Sequence, residues 1–461
     1  MTPSSTVPFT PQIAARIERL PLSFWHVRIG LIIGSSWFFD GFDALAIAYV
    51  LPAIIRPWHL TPLMIGLMIS GGYAGQTIGS VFFGWLAERI GRVPVCLYTL
   101  LLWSLTSLLC AFAWDYNSLF AMRFLQGLGL GGEIPIMAAY INEFANSRQR
   151  GRFSLSYQTL FSIGLFAVAQ VGRYVVPAIG WRWMFVIGAA PALLALPLRR
   201  LLPESPRWLA SKGRLVEADA TLSAIEAMIS RNGARPLPPI PPDFPPPKPA
   251  SSRFRDLFHG IYRRRSFSVW VLWVSSYLVI YGLSTWMPSL WTTVYHLSVQ
   301  EALNYAAITT SFSLVGAFVN IWLIEAVSRK KLFSTALLLS AMPLLYLAAY
   351  TTELAPVWVL VLTMLAFYCN AILAVSLSTY NAELYPNELR ALGVGVGNAW
   401  LRFASVVGPF FIGFIIPIAG LGAVFLVMGV GVIIGGLTCI FFADETRGQV
   451  LEEVSPSQAE A

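Results

Sequence analysis

Apolar residues in this chain come in runs of helix length, each closed by a short polar stretch. A helix that crosses the hydrocarbon core of a bilayer needs ~20 predominantly apolar residues. On that measure the pattern predicts spans at 26–55, 62–87, 93–113, 118–144, 152–176 and 182–200. A second set follows at 267–295, 299–327, 331–351, 356–385, 390–417 and 420–443. The runs are too long and continuous for the alternating strands of an outer-membrane barrel. The chain thus divides into an N-terminal segment (1–25), a six-helix half (26–200), a polar central segment (201–265), a second six-helix half (266–443) and a tail (444–461). The central segment holds PLPPIPPDFPPPKP, Pro236 to Pro249, a composition that favours an extended, exposed linker.

Composition fixes the class. Of 461 residues, 56% are hydrophobic and only 12% charged, against about 25% charged in soluble domains. This is the composition of an all-α integral membrane protein. Met1 to Ser23 is polar, with Arg16, Glu18 and Arg19, and has no early apolar core of the kind a cleaved signal peptide carries. The net charge of +8 reflects basic loops rather than a nucleic-acid partner. Arg89 and Arg92 follow the second span, Arg148, Arg150 and Arg152 the fourth, and Arg329, Lys330 and Lys331 the eighth. The central segment adds Lys212, Arg214, Arg253, Arg255 and Arg263 to Arg265. The opposite loops are nearly bare, with Arg56, Arg173 and Arg182 as exceptions. Basic loops stay in the cytoplasm, which predicts both termini and the central segment inside. The four cysteines, Cys96, Cys110, Cys369 and Cys439, fall within apolar runs and spell no disulfide framework or metal site. No GxxxxGK[ST] loop is present, which argues against ATP-driven work, and no catalytic or cofactor-binding constellation stands out.

The two halves repeat. GWLAERIGR after the second span corresponds to IWLIEAVSRK after the eighth, with Glu88 to Arg92 and Glu325 to Arg329 both four apart. NEFANSRQRGR after the fourth corresponds to AELYPNELRA after the tenth, with Glu143 to Arg150 and Glu383 to Arg390 both seven apart. A six-helix unit used twice is a plan of secondary transporters that rock about a midplane site.

At these residues the chain resembles the major facilitator superfamily over nearly its whole length. GWLAERIGR is similar to the signature between the second and third helices, with Glu88 where Asp is usual. PESPRWL (Pro203 to Leu209), ELYPNELRALG (Glu383 to Gly393) and DETRGQVLEE (Asp444 to Glu453) resemble marks of its sugar porter and organic-ion branches. DGFDALAIAYVLP, GLGLGGEIP and YGLSTWMP most resemble the metabolite:proton symporters, a group that includes bacterial niacin transporters and is similar to synaptic vesicle glycoprotein 2. The resemblance implies a twelve-helix fold, a bacterial inner membrane and transport by a monomer. Counting back from Pro288, Ser275 and Ser276 stand where sugar porters carry a Gln-Gln pair that binds hydroxyls, whereas Gln158 matches their helix-5 glutamine.

Asp40 and Asp43, three apart in the first span, share a helical face that must turn from lipid. Arg123 in the fourth span is the expected partner; GFD resembles the GYD of proton-coupled sugar porters, in which the Asp pairs with a helix-4 arginine. The alternatives are a static pair and a proton carrier. Glu133 in GLGLGGEIP is a third intramembrane carboxylate, with a coupling or cavity role set against a packing role for its glycines, and Pro135 is expected to kink the helix beside it. Arg402 in GNAWLRFASVVGP is expensive in a membrane unless paired, and resembles a helix-11 arginine of organic-anion transporters. A guanidinium holds a carboxylate through two parallel bonds; an internal salt bridge to Asp40 or Glu133 is the alternative. Tyr157, Tyr281, Trp286 and Tyr380 are candidate pocket rings, and Asn370 and Asn398 candidate polar contacts, each also readable as packing.

The resemblance further implies a cytoplasmic gate of salt bridges between the halves, built from Glu88, Arg92, Glu143, Arg150, Arg152, Glu204, Arg207, Glu325, Arg329, Glu383 and Arg390. The reading is proton-coupled uptake of a small aromatic or heteroaromatic acid such as nicotinate. A sugar or polyol symporter, and a membrane sensor that binds without transporting, are the alternatives.

Overall fold

Helices form wherever the apolar runs demand them, because a backbone in hydrocarbon must satisfy its own hydrogen bonds. The computed structural model describes residues 9–21, 23–144, 150–194, 200–232, 237–240 and 254–447. A short helix, α1 (Phe9–Glu18), precedes α2 (Phe24–Ile54), α3 (Pro62–Ile90), α4 (Arg92–Cys110), α5 (Tyr116–Phe144) and α6 (Arg150–Ile179). The sixth span begins as α7 (Arg182–Gly188) and a 3-10 turn, Ala190–Leu194. The central segment contributes α8 (Pro206–Ser211) and α9 (Leu215–Asn232). The second half holds α10 (Gly260–Thr293), α11 (Val299–Ala326), α12 (Arg329–Tyr350), α13 (Pro356–Glu383) and α14 (Asn387–Phe442). The last is two predicted spans joined at Gly420, whose φ of 75° breaks the helical path. Among the described residues nine helices are long and apolar enough to cross a membrane, and one of these segments, 392–442, has length for two crossings. Helix α3 is not among these nine, and the described part of the sixth span, Arg182–Leu193, is a shorter apolar helix.

The described residues form two compact units. The first comprises Met1–Ala44, Ala74–Val168 and Arg182–Pro249; the second comprises Leu45–Tyr73, Ala169–Trp181 and Ala250–Ala461. The second unit therefore includes one end each of α2, α3 and α6 together with the whole C-terminal set.

Within the first unit the glycine run of α5 is a packing surface. A Cβ on Gly129 would strike Trp103 of α4, and one on Gly131 would strike the Gln76 backbone of α3. Trp25, Trp103, Tyr140 and Phe144 are all buried in the surrounding apolar cluster.

The polar central segment carries α8 and α9 ahead of the proline run, and α1 docks on them. Arg16 and Arg19 converge on Glu226 at 2.8 and 2.7 Å, Arg16 also pairs with Asp219, and Arg207 of α8 meets Glu18 at 3.4 Å. LVEADATLSAIEAMISRN places these acids along one face while Leu222, Ile225 and Ile229 are buried. Most of the proline run lies outside the described residues. Burial opposes ionisation of Glu226, but hydrogen bonds and charge from Arg16 and Arg19 win and hold its carboxyl below the usual range. A depressed carboxyl contributes stability that is present above its unfolded-state value and is lost as pH falls through the folded one. Glu226→Gln is accordingly expected to release α1, raising its hydrogen exchange at neutral pH, with the difference from wild type shrinking as the solution is acidified below the ordinary glutamate range. Exchange that does not change on substitution would show that apolar contacts alone hold α1.

Candidate functional site

Asp43 is fully buried near the middle of α2. Helix α5 brings Arg123 and Gln126 to it, and α4 brings Ser107. Helix α7 approaches so closely that a Cβ on Gly188 would overlap Asp43 Oδ1. Arg123 Nη1 donates to Gln126 Oε1 at 2.6 Å and to the main-chain carbonyl of Asp43 at 3.5 Å. Among the described residues no well-aligned hydrogen bond reaches either buried carboxylate oxygen of Asp43, although Gln126 and Ser107 lie close to them, and the Ser107 hydroxyl donates to the Phe185 carbonyl at 3.0 Å. The expected Asp43–Arg123 ion pair thus takes another form. The guanidinium lies beside the carboxylate but spends its bonds on a neighbouring amide and a carbonyl, because Gln126, three residues along the same helix, competes for it. Asp40 is also buried, three residues earlier. Gln126 was legible as a polar residue one turn from Arg123 inside a span.

Glu133 is buried and bonded within its own unit. Ser36 of α2 donates to Oε1, and Trp103 Nε1 of α4 donates to Oε2 at 2.5 Å. Its two oxygens tie three helices together.

In the second unit, α10 presents a column of rings. Trp273 and Tyr277 lie 5.1 Å apart, Tyr277 and Tyr281 5.7 Å, and Tyr73 of α3 meets Tyr281 edge-on at 4.9 Å. Arg402 of α14 is half-buried and its charge acts on Tyr277. Asn398 is exposed one turn before Arg402 on the same face. The rings thus form one column of Trp273, Tyr277, Tyr281 and Tyr73, with Arg402 within electrostatic range of Tyr277. Tyr277 lay one turn from Tyr281, which was the available signal.

Other candidates are committed elsewhere. Trp286 is buried and donates to the Pro409 carbonyl at 3.1 Å, a bond that locks α10 to α14. Asn370 donates to Ser340 Oγ at 2.5 Å and to the Ala366 carbonyl, bridging α13 to α12. Tyr380 packs on Phe333 and donates to the Asp444 carbonyl at 2.9 Å, among the residues that follow the last span. For these three the packing alternative is what the contacts describe. The side chains of Tyr157, Gln158, Arg150, Arg152 and Glu325 lie outside the described residues.

The arginine-rich ends of the two halves share one architecture. In the first unit Arg92 meets Glu88 at 2.7 Å and Glu143 at 3.0 Å. Glu204 accepts from the Arg92 and Val93 backbone N–H groups at 3.0 and 3.2 Å, capping α4. Burial pushes the Glu204 carboxyl up, and those N–H groups oppose the shift. Gly91, with φ of 112°, sits so tightly against this carboxylate that a Cβ would overlap it. In the second unit Arg329 meets Glu383 at 3.5 Å, and Glu445 accepts from the Arg329 and Lys330 N–H groups at 3.0 and 3.3 Å, capping α12. Arg390 donates to the Ala382 and Tyr385 carbonyls. These ion pairs each close within one half. Glu445 was the member of the set that the sequence reading left out.

The model of a family described as sugar (and other) transporter matches residues 56–457. The chain is 31% identical to a niacin transporter of Acinetobacter baylyi over 444 residues, covering 96% of this chain and 99% of that one. It is 26% identical to a benzoate transport protein of the same organism, over 95% of this chain and 94% of that one. Among solved structures, the Escherichia coli xylose transporter in a partially occluded inward-open conformation superposes with a TM-score of 0.71 at 19% identity, covering 93% of this chain and all of that one.

Proposed function

Because this chain belongs to the sugar (and other) transporter family of multi-pass membrane carriers, a transporter and not an enzyme, we propose that it imports a small aromatic carboxylate together with a proton. The observation that carries the proposal is the column of rings on α10, with Arg402 of α14 within electrostatic range of Tyr277. A guanidinium offers a carboxylate a bidentate, charge-assisted grip, and flat rings offer an aromatic body stacking surface. Relatives named for niacin and benzoate support the same chemistry. Asp43 supplies the proton site in this scheme: the neutral carboxyl releases the adjacent guanidinium from its attraction and the carboxylate restores it. The arginine-rich ends face the cytoplasm and part during the cycle, with Glu88, Arg92, Glu143, Glu204, Arg207, Arg329, Glu383 and Arg390 exchanging partners. The Arg92–Glu143 and Arg329–Glu383 pairs are largely buried, so each charge must exchange its partner rather than lose it, because an uncompensated buried charge is costly.

A thermal-shift screen against nicotinate, nicotinamide, benzoate and xylose tests the reading. A ligand that binds only the folded protein raises its Tm in proportion to RT ln(1 + [L]/Kd). Nicotinate and benzoate are expected to stabilise wild type, nicotinamide is not, and Arg402→Ala is expected to lose the effect. Stabilisation by xylose alone would return the chain to the sugar-binding members of its family.

A further inference from the structure

Away from the arginine-rich ends, the halves share another pair of matching sequences. Trp58-His59-Leu60-Thr61 follows α2, and Tyr295-His296-Leu297-Ser298 follows α10. Both histidines adopt left-handed backbone, with φ of 49° and 55°. Both hydroxyls cap the next helix, Thr61 Oγ1 accepting from the Met64 N–H at 3.3 Å and Ser298 Oγ from the Glu301 N–H at 3.2 Å. Each turn leaves its histidine exposed.

Beside the second of these turns lies a cleft of 310 Å³, entirely within the second unit. One wall is the end of α2, with Pro52, Ile55 and Arg56; the other is the end of α10 and the turn, with Thr293, His296 and Leu297. Its donors are readily sorted. The Thr292 and Thr293 hydroxyls both donate to the Ser289 carbonyl at 2.9 Å. The nearby Glu301 carboxylate is bound to the Ser298 N–H and hydroxyl at 3.0 and 2.7 Å. The side chains of Arg56 and His296 have no hydrogen bond or ion pair among the described residues, so the cleft keeps a guanidinium and an imidazole facing apolar walls.

We propose that this cleft is a second binding subsite for an aromatic carboxylate, with the carboxylate on Arg56 and His296 and the ring against Pro52, Ile55 and Leu297. Its volume lies at the lower end of the range of small-molecule sites, ~300–1,000 Å³. It rests on the transport reading for its meaning, as the station at which substrate waits outside the central site. It also joins α2 to α10, so an occupant holds those two helix ends together.

Thiol labelling tests the site independently of transport. The four native cysteines are buried, so Thr293→Cys, at an exposed position, gives one reactive thiol on the cleft wall with Arg56 and His296 intact. An anionic methanethiosulfonate is expected to react faster than a cationic one. Benzoate is expected to protect the thiol, and Arg56→Ala to weaken that protection about tenfold, the size of one lost charge-assisted bond. Should Thr293→Cys fail to fold, Val299→Cys on the same cleft gives the same reading. Absence of protection, or protection unchanged by Arg56→Ala, overturns the proposal. So does protection by phosphatidylglycerol vesicles and not by benzoate, which would assign the cleft to a lipid headgroup. The central reading fails separately: if no carboxylate raises the Tm of wild type through Arg402 while Thr293→Cys is still protected, the outer subsite stands alone.

Discussion

Asp43→Asn is expected to abolish proton-driven accumulation while substrate exchange remains measurable. Asparagine keeps the size of the side chain, so the contacts around Gly188 and Ser107 survive. What is lost is the ability to gain and release a proton at a fully buried position beside Arg123. The effect is readily scaled. A monocarboxylate moving with one proton carries no net charge, so the pH gradient alone drives it. One pH unit is worth about 1.4 kcal/mol, or about tenfold accumulation. In proteoliposomes with an inward acid gradient, wild type should approach that ratio and the variant should stop at unity. Counterflow, which needs substrate on both sides and no net proton movement, should persist. Loss of both activities together would make Asp43 structural, and undiminished accumulation would move the proton site elsewhere, with Asp40→Asn the next variant.

The helices were legible because the period and length of apolar runs dictate them, and the repeat was legible because matching motifs recur at matching places. Depth in a span says little about azimuth, so the sequence leaves pocket and packing roles open for the same residues. Trp286, Asn370 and Tyr380 stand at plausible depths, yet each spends its polar atom on a neighbouring helix or the chain beyond the last span. Tyr277 and Gln126, one turn from residues already singled out, were passed over for want of a partner that only the fold supplies. The docking of α1 on α9 was hidden for a different reason. Its apolar stripe is short, and the acids that bind Arg16 lie more than two hundred residues away.

The second large effect is expected at Gly413. Helix α14 crosses the start of α3 backbone to backbone: a Cβ on Gly413 would lie 2.5 Å from the Pro62 carbonyl oxygen and 3.2 Å from the Gly66 Cα, and one on Gly66 would lie 2.8 Å from the Pro409 carbonyl oxygen. The same crossing is closed by Ser70 Oγ donating to the Val406 carbonyl at 2.7 Å, while α2 and α6 each meet α11, Tyr49 with Thr310 at 3.2 Å and Gln170 donating to Ser311 at 3.1 Å. Backbone atoms cannot yield as a flexible side chain does, so Gly413→Leu cannot be absorbed without parting α3 from α14. Overpacking of this kind costs ~1–3 kcal/mol or more, against the ~5.5 kcal/mol that turns a 99:1 equilibrium into 1:99. Gly413→Leu is therefore expected to shift the balance away from the closed packing about ten- to a hundredfold. Net uptake should fall accordingly, and a cysteine at Ser70, buried under this crossing, should become reactive to membrane-impermeant thiol reagents. Gly84→Ala is the control, since nothing lies within 4 Å of its Cβ position, and it should match wild type in both assays. A Gly413→Leu carrier that transports normally with Ser70→Cys still protected would show that α3 and α14 never need to close here, and the alternating cycle would have to be built on another pair of helices.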